Sequence, residues 1–151
     1  MKFTDGQWLI RKGYTELSPK TVFDQYFDGK NLYVYTSTRA IEERANVLDQ
    51  GTITYKFSSP LKGIIRVQVT HFDGRMDITP RFNLNIDNQV NPGFERIDQY
   101  LIFKTGELEV KINTEDFSID FIYDNKIITS SSKKSTGYVI NDKGEPFIKQ
   151  Q

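Results

Sequence analysis

The stretch RVQVTHFDGR, residues 66–75, holds the single histidine of the chain, with an acid two positions beyond it. An imidazole that moves protons needs a partner, commonly a carboxylate, to fix its tautomer. His71 and Asp73 stand at i and i+2, so on a continuing strand both side chains leave by the same face. The same alternation supports packing instead. Ile65, Val67, Val69 and His71 share one face, opposite Arg66, Gln68 and Thr70. His71 is then expected at the margin of a core, with one ring nitrogen bonded to backbone, and Asp73-Gly74 becomes the turn that ends the strand. Packing is the stronger reading.

Paired carboxylates are the other route to acid-base chemistry, and a glycosidase needs two placed across its substrate. Glu107 and Glu109 share a face with Lys111, opposite Leu108, Val110 and Ile112, which is the pattern of a solvated outer face. Glu42-Glu43 and Glu115-Asp116 are adjacent in sequence, so their side chains diverge. One histidine and no cysteine cannot build a common zinc site, and NIDNQVN at 85–91 lacks the spacing and glycine of a calcium loop. There is no glycine-rich phosphate loop, no Gly-x-Ser-x-Gly and no Cys-His pair. No catalytic residue, cofactor or metal is therefore expected. Aromatic residues remain. Tyr33 and Tyr35 face away from Leu32 and Val34, and Trp8 or Tyr35 could stack on a sugar ring, although such residues more often pack in a core or an interface.

The elements that must position these residues are strands. Ile 16, Val 8 and Thr 13 stand against Ala 2, with 20 aromatics, and these types fit a pleated sheet and form helices poorly. Residues 20–28 and 31–37 flank Asp28-Gly29, a turn dipeptide that tolerates positive φ, and predict a hairpin. TITYKFSS puts Ile53, Tyr55 and Phe57 on one face and is joined to GIIRVQVTHF by a short turn at 60–63. QYLIFK and GELEVKI meet at Thr105-Gly106, and DFSIDFIYD turns into KIITS at Asp124-Asn125. The spacing is that of an antiparallel sandwich. TRAIEERANVL dissents, with Ile41, Ala45 and Leu48 at helical spacing and no good cap, so a helical turn and an extended segment are equally open. TSSSKKSTG, 129–137, reads as a surface loop.

A chain of 151 residues is one domain's worth, and Leu, Ile, Val and Phe total 43, enough for a core without staples. Twenty basic side chains balance twenty acidic ones, leaving no net field for a phosphate backbone or an anionic membrane, so neither nucleic acid nor membrane is an expected partner. The absence of cysteine, and of any apolar run long enough for a signal peptide or a span, points to a soluble cytoplasmic protein.

Beyond these residue-level readings, several segments in order resemble the amino-terminal region of family 31 glycoside hydrolases, the bacterial α-xylosidases above all. They are MKFTDGQWLIRKG (1–13), TSTRAIEERANVLDQGTITYKFSSPLKGIIRVQVTHFDGR (36–75), PRFNLNI (80–86), FKTGELEVKI (103–112) and STGYV (135–139). The resemblance implies an all-β, antiparallel β-sandwich of the galactose mutarotase type, which precedes a (β/α)8 barrel carrying both catalytic aspartates. It implies a parent enzyme that hydrolyses terminal α-linked xylose or glucose with retention. Residues 1–151 would be that sandwich, truncated at its carboxy-terminal end, with the barrel outside the chain and no enzyme activity in isolation. Its expected partner is the barrel, whose active-site mouth it helps to frame, and an uncovered sheet edge would favour self-association. A free-standing carbohydrate-binding module and an interaction domain without a sugar role are the alternatives.

Overall fold

The structure is a computed structural model that describes residues 9–39, 51–71 and 85–150. Trp8, Asp73 and the segment with Ile41, Ala45 and Leu48 lie outside the described residues. Twelve strands form within them: β1 (Tyr14–Leu17), β2 (Thr21–Phe27), β3 (Asn31–Ser37), β4 (Thr52–Leu61), β5 (Ile64–Thr70), β6 (Gly93–Ile97), β7 (Tyr100–Thr105), β8 (Leu108–Asn113), β9 (Ile119–Tyr123), β10 (Lys126–Ser131), β11 (Thr136–Asn141) and β12 (Pro146–Gln150). No described residue is helical. All pairings are antiparallel, in three sheets: β2-β3-β4-β5, β10-β9-β8-β7-β6, and a small sheet ordered β1-β11-β12.

The two larger sheets are meanders, and their hairpins form where the turn dipeptides stand. β2 meets β3 across Asp28-Gly29, where Gly29 holds φ of 93°. β9 meets β10 across Asp124 and Asn125, both left-handed at φ 49° and 60°, the backbone that joins two strands with their natural twist. The β4–β5 connection is tighter than expected. Pairing continues to Leu61 opposite Ile64, past an irregularity after Ser58, so Lys62-Gly63 alone makes the turn. The loop expected over 129–137 is corrected too: Thr129–Ser131 belong to β10 and Thr136–Gly137 to β11, leaving 132–135 as the connection. Ser132 Oγ and Ser135 Oγ, 2.8 Å apart, tie that turn across its base.

The core lies between the two large sheets. Leu32, Val34, Ile53, Tyr55 and Phe57 face Leu101, Phe103, Val110, Ile112, Phe117 and Ile119, all buried, with Ile65, Val67 and Val69 packed against them. Each large apolar side chain withdrawn in this way contributes about 1.5–3 kcal/mol. The sheets are also linked by rings and polar groups: Tyr55 on Phe117 at 4.4 Å, and Phe27 on Phe94 at 5.3 Å. The Ser59 hydroxyl donates to the Leu61 carbonyl, so it is Thr105 that donates to Ser59, at 2.7 Å, and buried Thr105 is satisfied.

The third sheet is stapled from residue 14 to residue 150. Lys149 Nζ donates to Glu16 Oε1 at 2.9 Å, with both side chains mostly buried, and the Ser18 hydroxyl donates to the same oxygen. Lys149 lies opposite Gly137 on β11. A methyl there would stand 2.8 Å from Ser18 Oγ, so only glycine leaves room for this crossing of the sheet.

Candidate functional site

In β2–β5 the residues that alternate with the core point outward, and the strand register sorts them into rows. Tyr26, Tyr33, Lys56 and Gln68 make one row, and Asp24, Tyr35, Thr54 and Thr70 the next. The register shift between Val22 and Asp24 brings Phe23 beside Tyr35, with ring centroids 6.3 Å apart. Tyr26 and Tyr33 stack at 6.2 Å, and Lys56 Nζ lies 5.3 Å from the Tyr33 ring. Phe23 at 43% and Tyr26 at 58% are exposed. This is a wet aromatic face, and it includes one of the two expected stacking residues. Tyr35 is half-buried there beneath Phe23, while Trp8 falls outside the described residues. Phe23 and Tyr26 were not singled out in the sequence. Tyr26 sits directly across the Asp28-Gly29 hairpin from Tyr33, a pairing that counting outward from the turn would have found.

Beside this face, toward the Asp28-Gly29 turn, the segment before β6 folds across the sheet. The Asp87 amide donates to the Pro60 carbonyl at 2.8 Å and Lys30 Nζ to the Asn88 carbonyl at 2.6 Å. Between segment and sheet lies a cleft of about 240 Å³, floored by Asn31, Lys56, Ser58, Arg66 and Gln68 and walled by Pro60, Ile86, Val90 and Pro92. Asp28 closes the adjacent turn. Burial opposes its ionisation, but bonds from the Asn31 side chain and backbone and the Lys30 amide, with the charge of Lys56, hold its carboxyl below the usual value.

Among the described residues the groups weighed for catalysis are dispersed; Glu42-Glu43 and Asp73 lie outside them. His71 Nδ1 is 3.0 Å from the Thr52 carbonyl, which can only accept, so Nδ1 carries a hydrogen; the ring packs on Tyr138 at 4.4 Å. That is the packing role expected of it. Glu109 pairs with Lys104, and Lys111 lies 3.9 Å over the Tyr100 ring, all on the outer face of the five-stranded sheet. Glu107 belongs to the turn before β8 rather than to the strand, and its hydrogen bond raises the pKa of Tyr123. Asp116 accepts from the amide and hydroxyl of Ser118. Among the described residues no cluster of three or more His, Asp or Glu could hold a metal ion, and no helix is long and apolar enough to cross a membrane. Stacking and hydrogen bonding to a hydroxyl-rich or charged ligand are what the outer face can do.

Comparison with known proteins adds relationship to geometry. No family model matches the chain. The α-xylosidase XylQ of Lactiplantibacillus pentosus is 32% identical over 143 residues, which is 93% of this chain and 18% of that enzyme. An α-xylosidase of Emericella nidulans is 30% identical over 149 residues, 92% of this chain and 19% of that enzyme. Among solved structures, a cycloalternan-forming enzyme from Listeria monocytogenes, in complex with a pentasaccharide substrate, superposes over 86% of this chain and 11% of its own, with a TM-score of 0.61 at 12% identity. That last likeness is one of fold. The chain spans just under a fifth of the length of the curated relatives it matches. Its relatedness to α-xylosidases and its all-β sandwich fold agree with the resemblance seen in the sequence.

Proposed function

We propose that the chain is the non-catalytic amino-terminal β-sandwich domain of a family 31 glycoside hydrolase, an α-xylosidase or a related α-glucosidase. The observation that carries this reading is a match that runs along nearly all of the chain yet takes up under a fifth of each α-xylosidase. In such an enzyme a (β/α)8 barrel supplies the nucleophile and the general acid/base for retaining release of terminal α-linked xylose or glucose. The sandwich packs on that barrel and helps to frame the mouth of its active site. Lack of cysteine fits work in the cytoplasm. As a free chain it also self-associates along an exposed sheet edge. Incubation of the chain with an aryl α-xyloside and an aryl α-glucoside is expected to release no phenol above the buffer rate. Turnover at enzyme level would sink the proposal.

A second reading, a carbohydrate-binding module, is favoured by the outward aromatics Phe23, Tyr26, Tyr33 and Tyr35. Titration with xylose-containing oligosaccharides, followed by intrinsic fluorescence, separates the two. A Kd well below millimolar supports the module, and absence of saturation at that level supports the structural domain.

A further inference from the structure

The lining of the cleft near the Asp28-Gly29 turn includes three cations, Lys30, Lys56 and Arg66, and one carboxylate, Asp87. Arg66 and Lys56 leave the same face of β5 and β4. Since Ser58 faces Arg66 and Gln68 faces Lys56, the two cations are diagonal neighbours, about 7–8 Å apart at the backbone and within reach of each other's long side chains. Lys30 closes the third side, its ammonium held by the Asn88 carbonyl. Asp87 is the carboxylate of the lining, and its Oδ1 accepts from the Gln89 amide at 2.9 Å. Among the described residues, ion pairs join Lys104 to Glu109 and Lys149 to Glu16, and none reaches Lys30, Lys56 or Arg66. Asp28 is close enough to feel Lys56, but its oxygens already accept from the Lys30 and Asn31 amides and the Asn31 side chain.

Arg66 is the telling residue. It is half-buried, its guanidinium carries five donors, and among the described residues its side chain makes no hydrogen bond or ion pair. Two like charges placed diagonally on a sheet repel each other unless a counter-charge lies between them. Pro60, Ile86 and Val90 give the same cleft an apolar rim.

We infer that this cleft binds an acidic sugar, its carboxylate or phosphate group seated between Arg66 and Lys56 and its hydroxyls on Ser58 and Gln68. A guanidinium fork grips either oxyanion through two parallel bonds, and an ammonium adds a point charge. At about 240 Å³ the cleft falls below the roughly 300–1,000 Å³ of pockets that bury drug-sized ligands, so it takes a single ring. The site is independent of the α-xylosidase reading, since neutral xylose carries no charge for Arg66 and Lys56 to pair with.

The test is calorimetry on the whole 151-residue chain with glucuronate, glucose 6-phosphate, inorganic phosphate and xylose in separate runs. At least one acidic sugar is expected to bind more tightly than xylose and inorganic phosphate, and more weakly as salt is raised. Preference for glucuronate makes the group a carboxylate; preference for glucose 6-phosphate makes it a phosphate. Arg66→Gln is expected to weaken binding about tenfold or more, as loss of a charge-assisted bidentate contact would. Lys56→Gln should weaken it several-fold, and Lys126→Gln on β10 should leave it unchanged. Circular dichroism confirms that each variant folds; if Arg66→Gln does not, Lys56→Gln carries the test. Equal binding of xylose, phosphate as tight as glucose 6-phosphate, no binding of either acidic sugar at millimolar concentration, or wild-type affinity in a folded variant each overturns the inference.

Discussion

Tyr55 places a phenol in the middle of the apolar core, 1% exposed, with its hydroxyl 2.7 Å from Thr136 Oγ1. Burial disfavours the phenolate and pushes its pKa up to about 12, against a smaller opposing effect of the Thr136 hydrogen bond. In the unfolded chain the same group titrates near 10. Between those values the native state holds a proton that the unfolded state has released. The stability tied to this proton is therefore full below pH about 10 and is lost as pH rises toward about 12. A gap of two units corresponds to about 2–3 kcal/mol. Urea unfolding of the wild type and Tyr55→Phe across pH 8–11.5 isolates it. At pH 8 the variant is expected to be less stable by about 1 kcal/mol, because Thr136 loses its partner. As pH rises the difference should shrink, since phenylalanine has no proton to lose. A constant difference would show that Tyr55 does not sense pH. Nothing in the sequence marked Tyr55 as a polar junction. Alternation put it on the inward face of β4, and its partner lies 81 residues away.

Among the elements, β10 is the strand that most resembles an unfinished sheet. Among the described residues it borders the five-stranded sheet, pairs only with β9, and leaves Ile127 and Ile128 exposed at 62% and 59% beside exposed Tyr123. An edge with apolar side chains invites another strand, although the register shift between Ile127 and Thr129 roughens it. Light scattering of the wild type is expected to show mass rising with concentration, and Ile127→Lys with Ile128→Lys to suppress that rise without shifting the melting temperature by more than a few degrees. A wild type that stays monomeric at high concentration would refute the edge as an interface. The same strand shows what was legible. Asp124-Asn125 announced the β9–β10 hairpin, as Asp28-Gly29 did for β2–β3, because local chemistry there dictates local geometry. Strands β1, β6, β11 and β12 carried no such mark. YTEL, GFERI and PFIKQ are short and mixed, and β1 is placed by partners distant in sequence, through its pairing with β11, Tyr14 opposite Asn141, and the Glu16–Lys149 bridge to β12. The cleft was hidden for the same reason. Lys30, Lys56, Arg66 and Asp87 become neighbours through strand register and the Pro60–Asp87 hydrogen bond, none of which any one segment encodes.

At the scale of the molecule, the question is whether the small β1-β11-β12 sheet is part of the sandwich or a separately opening flap. Two contacts weld it on: Tyr138 packs against the core margin and on His71, and Tyr55 bonds Thr136. His71, first met as a candidate acid-base residue, is thus one half of a structural joint. A segment whose opening exposes buried apolar surface and breaks buried hydrogen bonds opens with the whole fold, whereas one lacking such ties frays alone. In native-state hydrogen exchange the β11 amides are therefore expected to be as protected as those of β8 in the wild type. Tyr138→Ala removes the ring that bridges His71 and the core, and should drop β11 protection below that of β8 by about 1–2 kcal/mol while β8 falls less. If β11 already exchanges faster than β8 in the wild type, the third sheet is a flap, and neither the Tyr138 ring nor the Tyr55 bond holds it to the sandwich.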